Sequence, residues 1–165
     1  MSNTSIRKAT KEDVGLILSF IRGLAEYEKM TDQMVATEEL MEEWLFEKKI
    51  AEVIFAVEDG KEVGFALFFH NFSTFLGRGG IYLEDLFVFP AYRGRGHGKR
   101  LLCRLAEIAV EEGCGRLEWS CLDWNKPSID FYLSMGAIPM EEWTTYRLTG
   151  DALVKAAKLY EKEPK

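Results

Sequence analysis

The sequence predicts an α/β protein built on a mixed sheet, with an antiparallel meander leading into a strand–helix–strand crossover. Three observations carry this. Amphipathic helical spacing is found near the N-terminus and again after residue 97. Between residues 51 and 90 the chain is β-rich. A knot of alternate glycines, Gly94, Gly96 and Gly98, sits where the last of those strands hands over to a helix. The 165 residues amount to a single domain over 1–165 with no linker or repeat, long enough to bury one sizeable core.

Ser5 to Ala9 reads as a short strand. Thr10 follows as an N-cap, with Glu12 and Asp13 in the first turn, where acids favour the helix dipole. Ile17, Phe20, Ile21 and Leu24 then recur at helical spacing and predict a helix to about Glu28. A shorter helix spans Thr37 to Glu47. "AEVIFAVEDGKEVGFALFFHNF" gives two strands around Asp59-Gly60, a hairpin signal.

"GIYLEDLFVFP" is a third strand of this region, closed by Pro90. The helix after the glycines carries Leu101, Leu102, Leu105 and Ile108 on one side. "RLEWSCL" is another strand. "NKPSIDFYLSMG" is a short helix, with Asn125 as cap, Pro127 in the first turn and Gly136 beyond its end. A last strand is expected at Thr144 to Leu148, then a helix from Asp151. The predicted order is β-α-α-β-β-β-α-β-α-β-α.

Composition narrows the partners. Hydrophobic residues make up 47% and charged residues 29%, as in ordinary globular proteins. The three cysteines, Cys103, Cys114 and Cys121, show no metal-ligand spacing, and there are only two histidines, so no metal is expected. Reduced thiols fit a cytoplasmic location. No apolar run reaches the length of a membrane span, and "MSNTSIRKATKED" lacks a signal peptide's apolar segment. A net charge of −6 argues against nucleic acid and suits a small cationic ligand.

The segment "YRGRGHGKR" has two readings. A helix N-terminus with its unpaired N–H groups is an anion seat, and glycines let the backbone close around a phosphate. The alternative is a glycine-rich turn with solvated charges. A P-loop is excluded, because Gly94 to Gly98 leaves three residues rather than four and Arg100 follows Lys99. The dinucleotide pattern fails too, its third glycine coming one position early. A non-nucleotide diphosphate remains. In "YLEDLFV", Glu84 and Asp85 lie in an otherwise apolar strand. Neighbouring strand residues face opposite sides, so at least one acid should meet apolar surroundings. A salt bridge, a bulge turning both to solvent, and a functional role all remain open.

"YRGRGHG" resembles the R-x-x-G-x-G pattern of the GNAT acetyltransferases, with Arg93, Gly96 and Gly98 at its defining positions. The blocks "LAEYEKMTDQM", "IYLEDLFVFPAYRGRGHG" and "LDWNKPSIDFYLSMGA" are similar to the diamine acetyltransferases, the spermidine/spermine and thialysine types. The resemblance implies the GNAT fold: a central, mixed, mostly antiparallel sheet flanked by helices on both faces. It also implies acetyl-coenzyme A as co-substrate and direct transfer to a primary amine in a ternary complex. The amine would be a diamine, a polyamine or a lysine-like substrate.

Site residues follow from the same resemblance. The loop Arg93, Gly94, Arg95, Gly96, His97, Gly98 and Lys99 would hold the coenzyme's diphosphate. Leu86, Phe87 and Val88 would pair their backbone with its pantetheine arm, and Asn125 and Ser128 would add contacts. Glu84 would meet the substrate amine and accept its proton, with Asp85 helping to hold the ammonium. Tyr132 would protonate the departing thiolate; a phenol near pKa 10 and a thiol near roughly 8.5 are close enough for that. Tyr27, Glu28 and Asp32 match positions around the cationic substrate chain. Cys121, tested as an acyl carrier, reads instead as a small apolar strand residue.

Some residues depart from the pattern. Lys29 and Thr31 bring the block near Tyr27 closer to the thialysine type, while "KPSIDFY" leans towards the polyamine type. His97 replaces a small aliphatic residue, and the chain beyond Glu142 matches weakly. The alternatives are a peptide N-acetyltransferase and a non-catalytic acetyl-coenzyme A binding module. The resemblance further implies a homodimer.

Overall fold

Runs rich in β-branched and aromatic residues are buried on both faces in the middle strands, and five segments of this chain pair into one sheet. β1 (Thr4–Lys8), β2 (Glu52–Glu58), β3 (Lys61–Ser73), β4 (Arg78–Val88) and β5 (Leu117–Trp119) form one sheet in that order. β1 to β4 pair antiparallel and β4 pairs β5 in parallel, so the sheet is mixed as expected. The computed structural model describes residues 2–162. These fall into two compact units, one ending at Ser120 and one beginning at Cys121.

The Asp59-Gly60 signal is realised as a two-residue turn, both residues having positive φ (49° and 83°). That is the twist a type I′ hairpin requires between Glu58 and Lys61. Thr10 and Asp13 form the expected capping box, Thr10 N–H donating to Asp13 Oδ2 at 2.7 Å. Arg7 of β1 grips Asp13 with two nitrogens at 2.8 Å and Glu62 with Nε at 3.0 Å. The start of α1 (Val14–Tyr27) is thereby tied to the sheet. Thr37 caps α2 (Glu38–Met41), which runs on into a widened turn over Glu42–Glu47.

α1 lays Ile17 and Phe20 on one sheet face, against Phe55, Phe65, Leu67 and Phe87. Phe20 stacks on Phe89 and Phe65, with ring centroids 4.3 Å and 5.1 Å apart. The other face takes α3 (His97–Glu111), whose Leu101, Leu102 and Leu105 are buried. Gly64 permits that approach: a Cβ there would lie 3.1 Å from Val88 Cγ2 and 3.4 Å from Leu101 Cδ1.

Two predicted strands change. "RLEWSCL" narrows to the three residues of β5, because its ladder on β4 covers only Ile81 to Leu83. Residues 144–148 form no strand; alternating β-formers make a strand only with a paired edge. Tyr146 and Leu148 stand exposed there. In the second unit, α4 (Lys126–Ser134) has Pro127 in its first turn, and Gly136, with φ of 88°, lies just beyond its C-cap Met135. α5 (Gly150–Lys162) is the final helix. Among the described residues, no helix is long and apolar enough to cross a membrane.

Phe20 is fully buried at the centre of the α1 face. Phe20→Ala should destabilise the protein by about 3–5 kcal/mol, read as a lower urea midpoint with an unchanged slope.

Candidate active site

One extra residue in β4 organises the site. The β3–β4 register pairs Phe68 with Leu83 and Leu67 with Asp85, leaving Glu84 unmatched as a β-bulge. Leu83 and Asp85 would share a face in a regular strand. Here Asp85 lies opposite Leu67 and Phe87 opposite Phe65, both partners belonging to the core under α1. Leu83, opposite Phe68, is on the other face. A bulge is thus present but does not turn both acids to solvent: Glu84 is exposed, whereas Asp85 is half-buried on the α1 side.

The consequence is electrostatic. Burial pushes the Asp85 carboxyl up to about 7, and the negative charges of Glu84 and Glu28 add to the rise. Glu28, at the C-cap of α1, is itself raised by burial. Three carboxyls therefore crowd one place, where a cation would relieve both desolvation and mutual repulsion. Asp32 is exposed on a short turn at Thr31–Gln33.

The same bulge ends the sheet on the other side. β5 pairs with β4 only as far as Leu83, so Leu86, Phe87 and Val88 have no ladder partner on that edge. Arg93 Nε donates to the Val88 carbonyl at 3.0 Å, and its guanidinium lies over the Tyr27 and Phe87 rings, 5.0 Å and 5.2 Å from their centroids. Gly23 lets α1 approach closely, since a Cβ there would sit 2.8 Å from Phe87 Cε1. Beside this stack opens a cleft of ≈ 470 Å³, with Arg22, Gly23, Glu26, Tyr27, Phe87 and Arg93 on its walls.

The glycine loop is held from behind. Gly94 and Gly96 have φ of 77° and 85°, and Gly96 is the N-cap of α3. Arg95 Nη1 pairs with buried Glu58 at 2.6 Å, and His97, also buried, brings Nε2 to 3.4 Å from the same carboxylate. Arg100 contacts His97 Nδ1. The arginines in and after the loop are thus largely engaged with the protein. The amides of His97, Gly98 and Lys99 precede the first intrahelical bond (Arg100 N–H to Gly96 O, 3.0 Å), so the seat is a backbone one. Glu58 and Gly23 carried no sequence signal, since each depends on a neighbour distant in the chain.

The remaining candidates belong to the second unit. Asn125 is buried at the start of α4, but its side chain makes no capping bond there, which removes the plain capping reading. Ser128 and Tyr132 are half-buried, and the Tyr132 ring packs on Phe131 at 5.5 Å.

A helix start with backbone amides thus follows a strand whose last residues are paired on one side, on one α/β sheet. The sequence model of the Acetyltransferase (GNAT) family matches residues 19–137, and the chain belongs to that family of acetyltransferases. It is 38% identical to the thialysine N-epsilon-acetyltransferase of Sus scrofa over 95% of this chain and 99% of that protein. With the L-ornithine N5-acetyltransferase of Arabidopsis thaliana it shares 34% identity over 93% of this chain and 88% of the other. An integron cassette protein from the mobile metagenome of V. cholerae has a similar structure, with a TM-score of 0.78 and 34% identity. The match covers 94% of this chain and 98% of that one.

Asp85 carries a stability signature. Its folded pKa of about 7 lies above its ordinary 3.8, so the folded state holds the extra proton in between. Stability should therefore fall as pH rises from 4 to 7. Asp85→Asn should remove that slope, making the variant more stable than the parent by about 2–4 kcal/mol at pH 8 and no different below pH 4. Denaturant titrations across pH measure it; parallel curves for the two proteins would refute it.

Proposed function

We propose that the chain transfers the acetyl group of acetyl-coenzyme A to a primary amine of a small cationic substrate: a diamine, a polyamine or a lysine- or thialysine-like amino acid. The transfer is direct, within a ternary complex. The observation that carries this reading is the crowding of Glu28, Glu84 and Asp85 at a bulge on the strand that runs into the glycine loop. Uncompensated carboxyls at such a place favour a cation. The names of the thialysine and ornithine acetyltransferases, whose substrates carry amines, support it.

The amides at the start of α3 would hold the diphosphate, and the open edge at Leu86, Phe87 and Val88 would pair with the pantetheine arm. An N–H of that edge, aimed at the thioester oxygen, would stabilise developing negative charge. Asn125 and Ser128 would add contacts. The bound coenzyme supplies the activated acetyl thioester. Alkyl amines titrate near roughly 10.4 and arrive protonated. Glu84 attracts the ammonium and accepts its proton, directly or through water, while Asp85 and Glu28 hold the positive charge. Tyr27 and Asp32 line the path of the substrate chain. Tyr132 gives its phenolic proton to the leaving sulfur.

We further place the two units in one functional domain, since the family match runs across their boundary. The enzyme is taken to be a cytoplasmic homodimer. Exposed Ile138, Met140, Trp143 and Tyr146 support a partner chain. Light scattering should give about twice the 18.9 kDa chain mass.

The deciding experiment is thiol release from acetyl-coenzyme A across a panel of diamines, polyamines, lysine analogues and peptides. Turnover should be greatest with a small diamine or lysine analogue. No release with any amine, from folded protein that binds the coenzyme, would leave a binding module; preference for peptides would move the substrate class.

Three variants separate the roles. Tyr132→Phe should lower turnover roughly 10²–10⁴-fold with binding of both substrates nearly intact. Glu84→Gln should raise the amine KM and lower turnover, with partial recovery at higher pH. Gly96→Val should weaken the coenzyme, because a branched residue resists the positive φ of that N-cap.

A further inference from the structure

At the end of α3 opposite the glycine loop, three side chains of metal-ligand type meet. His70 of β3, Glu112 at the C-cap of α3 and Cys114 just beyond offer ligand atoms that all lie within 4.8 Å of one another. His70 Nε2 is 2.6 Å from Glu112 Oε2, and Cys114 is a free thiol. We propose that His70, Glu112 and Cys114 bind a divalent transition metal, with Zn²⁺ the best match, leaving a fourth position for water.

The backbone builds this arrangement. Gly113 has φ of 74°; its N–H bonds Val110 O at 3.1 Å, and the Cys114 N–H reaches back to Ala109 O at 2.8 Å. This is a Schellman turn, which folds Cys114 back beside the helix end that carries Glu112. His70 is fixed opposite Ile81 in the β3–β4 register. The set therefore joins a helix terminus to a strand 42 residues away in sequence.

The chemistry selects the ion. A thiolate, an imidazole and a carboxylate suit zinc or its spectroscopic substitute cobalt rather than magnesium or calcium, which take oxygen ligands. Tetrahedral bonds of about 2.0–2.3 Å place donor atoms roughly 3.3–3.8 Å apart. Reaching that geometry opens the His70–Glu112 contact and closes the spread to Cys114, small movements for half-exposed side chains. The negative end of the α3 dipole adds attraction. Arg78 opposes it, its Nη1 bonding the Gly113 carbonyl at 3.4 Å. On binding, Cys114 releases its thiol proton to solvent, and no oxidant or reductant takes part.

α3 has fifteen residues and spans about 22 Å, so the metal would sit far from the glycine loop. Its effect would be to clamp α3 to β3, not to assist acyl transfer. The reading is independent of the substrate proposed above and survives its failure.

The test is titration of the reduced, chelator-treated full chain with Co²⁺. One equivalent should bind, giving intense visible bands of a tetrahedral ion and a thiolate-to-cobalt charge-transfer band, both abolished by Zn²⁺. Cys114→Ser should lose the charge-transfer band, while Cys103→Ser and Cys121→Ser keep it. His70→Gln and Glu112→Gln should each weaken the metal by about tenfold or more, with folding checked by circular dichroism. Zn²⁺ should raise the melting temperature of the parent more than that of His70→Gln at the same metal concentration. No saturable binding, or a charge-transfer band that persists in Cys114→Ser, would overturn the site.

Discussion

The site depends on one unmatched residue. Between Leu67 and Phe68 on β3 there is no residue for Glu84 to face, so β4 changes which side it presents after Leu83. A bulge disrupts the ladder locally and bends the strand. β3 is long and antiparallel and retains its pairing; β5 is short and parallel and loses it. Along Leu86 to Val88 the strand is therefore paired with β3 and not with β5, and the Val88 carbonyl takes its bond from Arg93. The same step carries Asp85 from the face it would otherwise occupy onto the α1 side, against Glu28.

Around this step the protein turns its basic side chains inward. Arg95 and His97 surround Glu58, a carboxylate that is 5% exposed and would be costly to bury alone. Arg93 is stacked on Tyr27 and Phe87 and bonded to the Val88 carbonyl. These groups hold the loop from behind, while the amides at the start of α3 precede the first intrahelical bond. An anion seat built from backbone dipoles on a rigid support needs little reorganisation when a ligand arrives. Its opposite in charge, the carboxyl cluster at the bulge, stands on the same strand. The carboxyl cluster and the glycine loop are thus separated by only a few residues of β4 and the turn after it.

Much of the frame was legible beforehand. Thr10 with Asp13, Asp59-Gly60, Pro127 and Gly136 are local signals whose physics lies within a few bonds, and each did what its residue type dictates. The glycine loop was readable for the same reason, because positive φ and a helix start are local demands. The strand expected at residues 144–148 failed because strand formation is decided by a partner edge, which local alternation does not supply.

By itself the sequence determined the α/β class, the order of helices and the meander, the glycine-built helix start and the presence of two acids in an apolar strand. Tertiary structure alone decided which acid is buried, where β5 stops, and that Glu28 approaches Asp85 across 57 positions of chain. It also decided that His70 would meet Glu112 and Cys114, although neither cysteine nor histidine spacing hinted at a cluster. The reason is common to all of these. Register, burial and the meeting of charges are properties of pairs of segments, and a pair is defined only once the sheet has closed and both helices have packed against it.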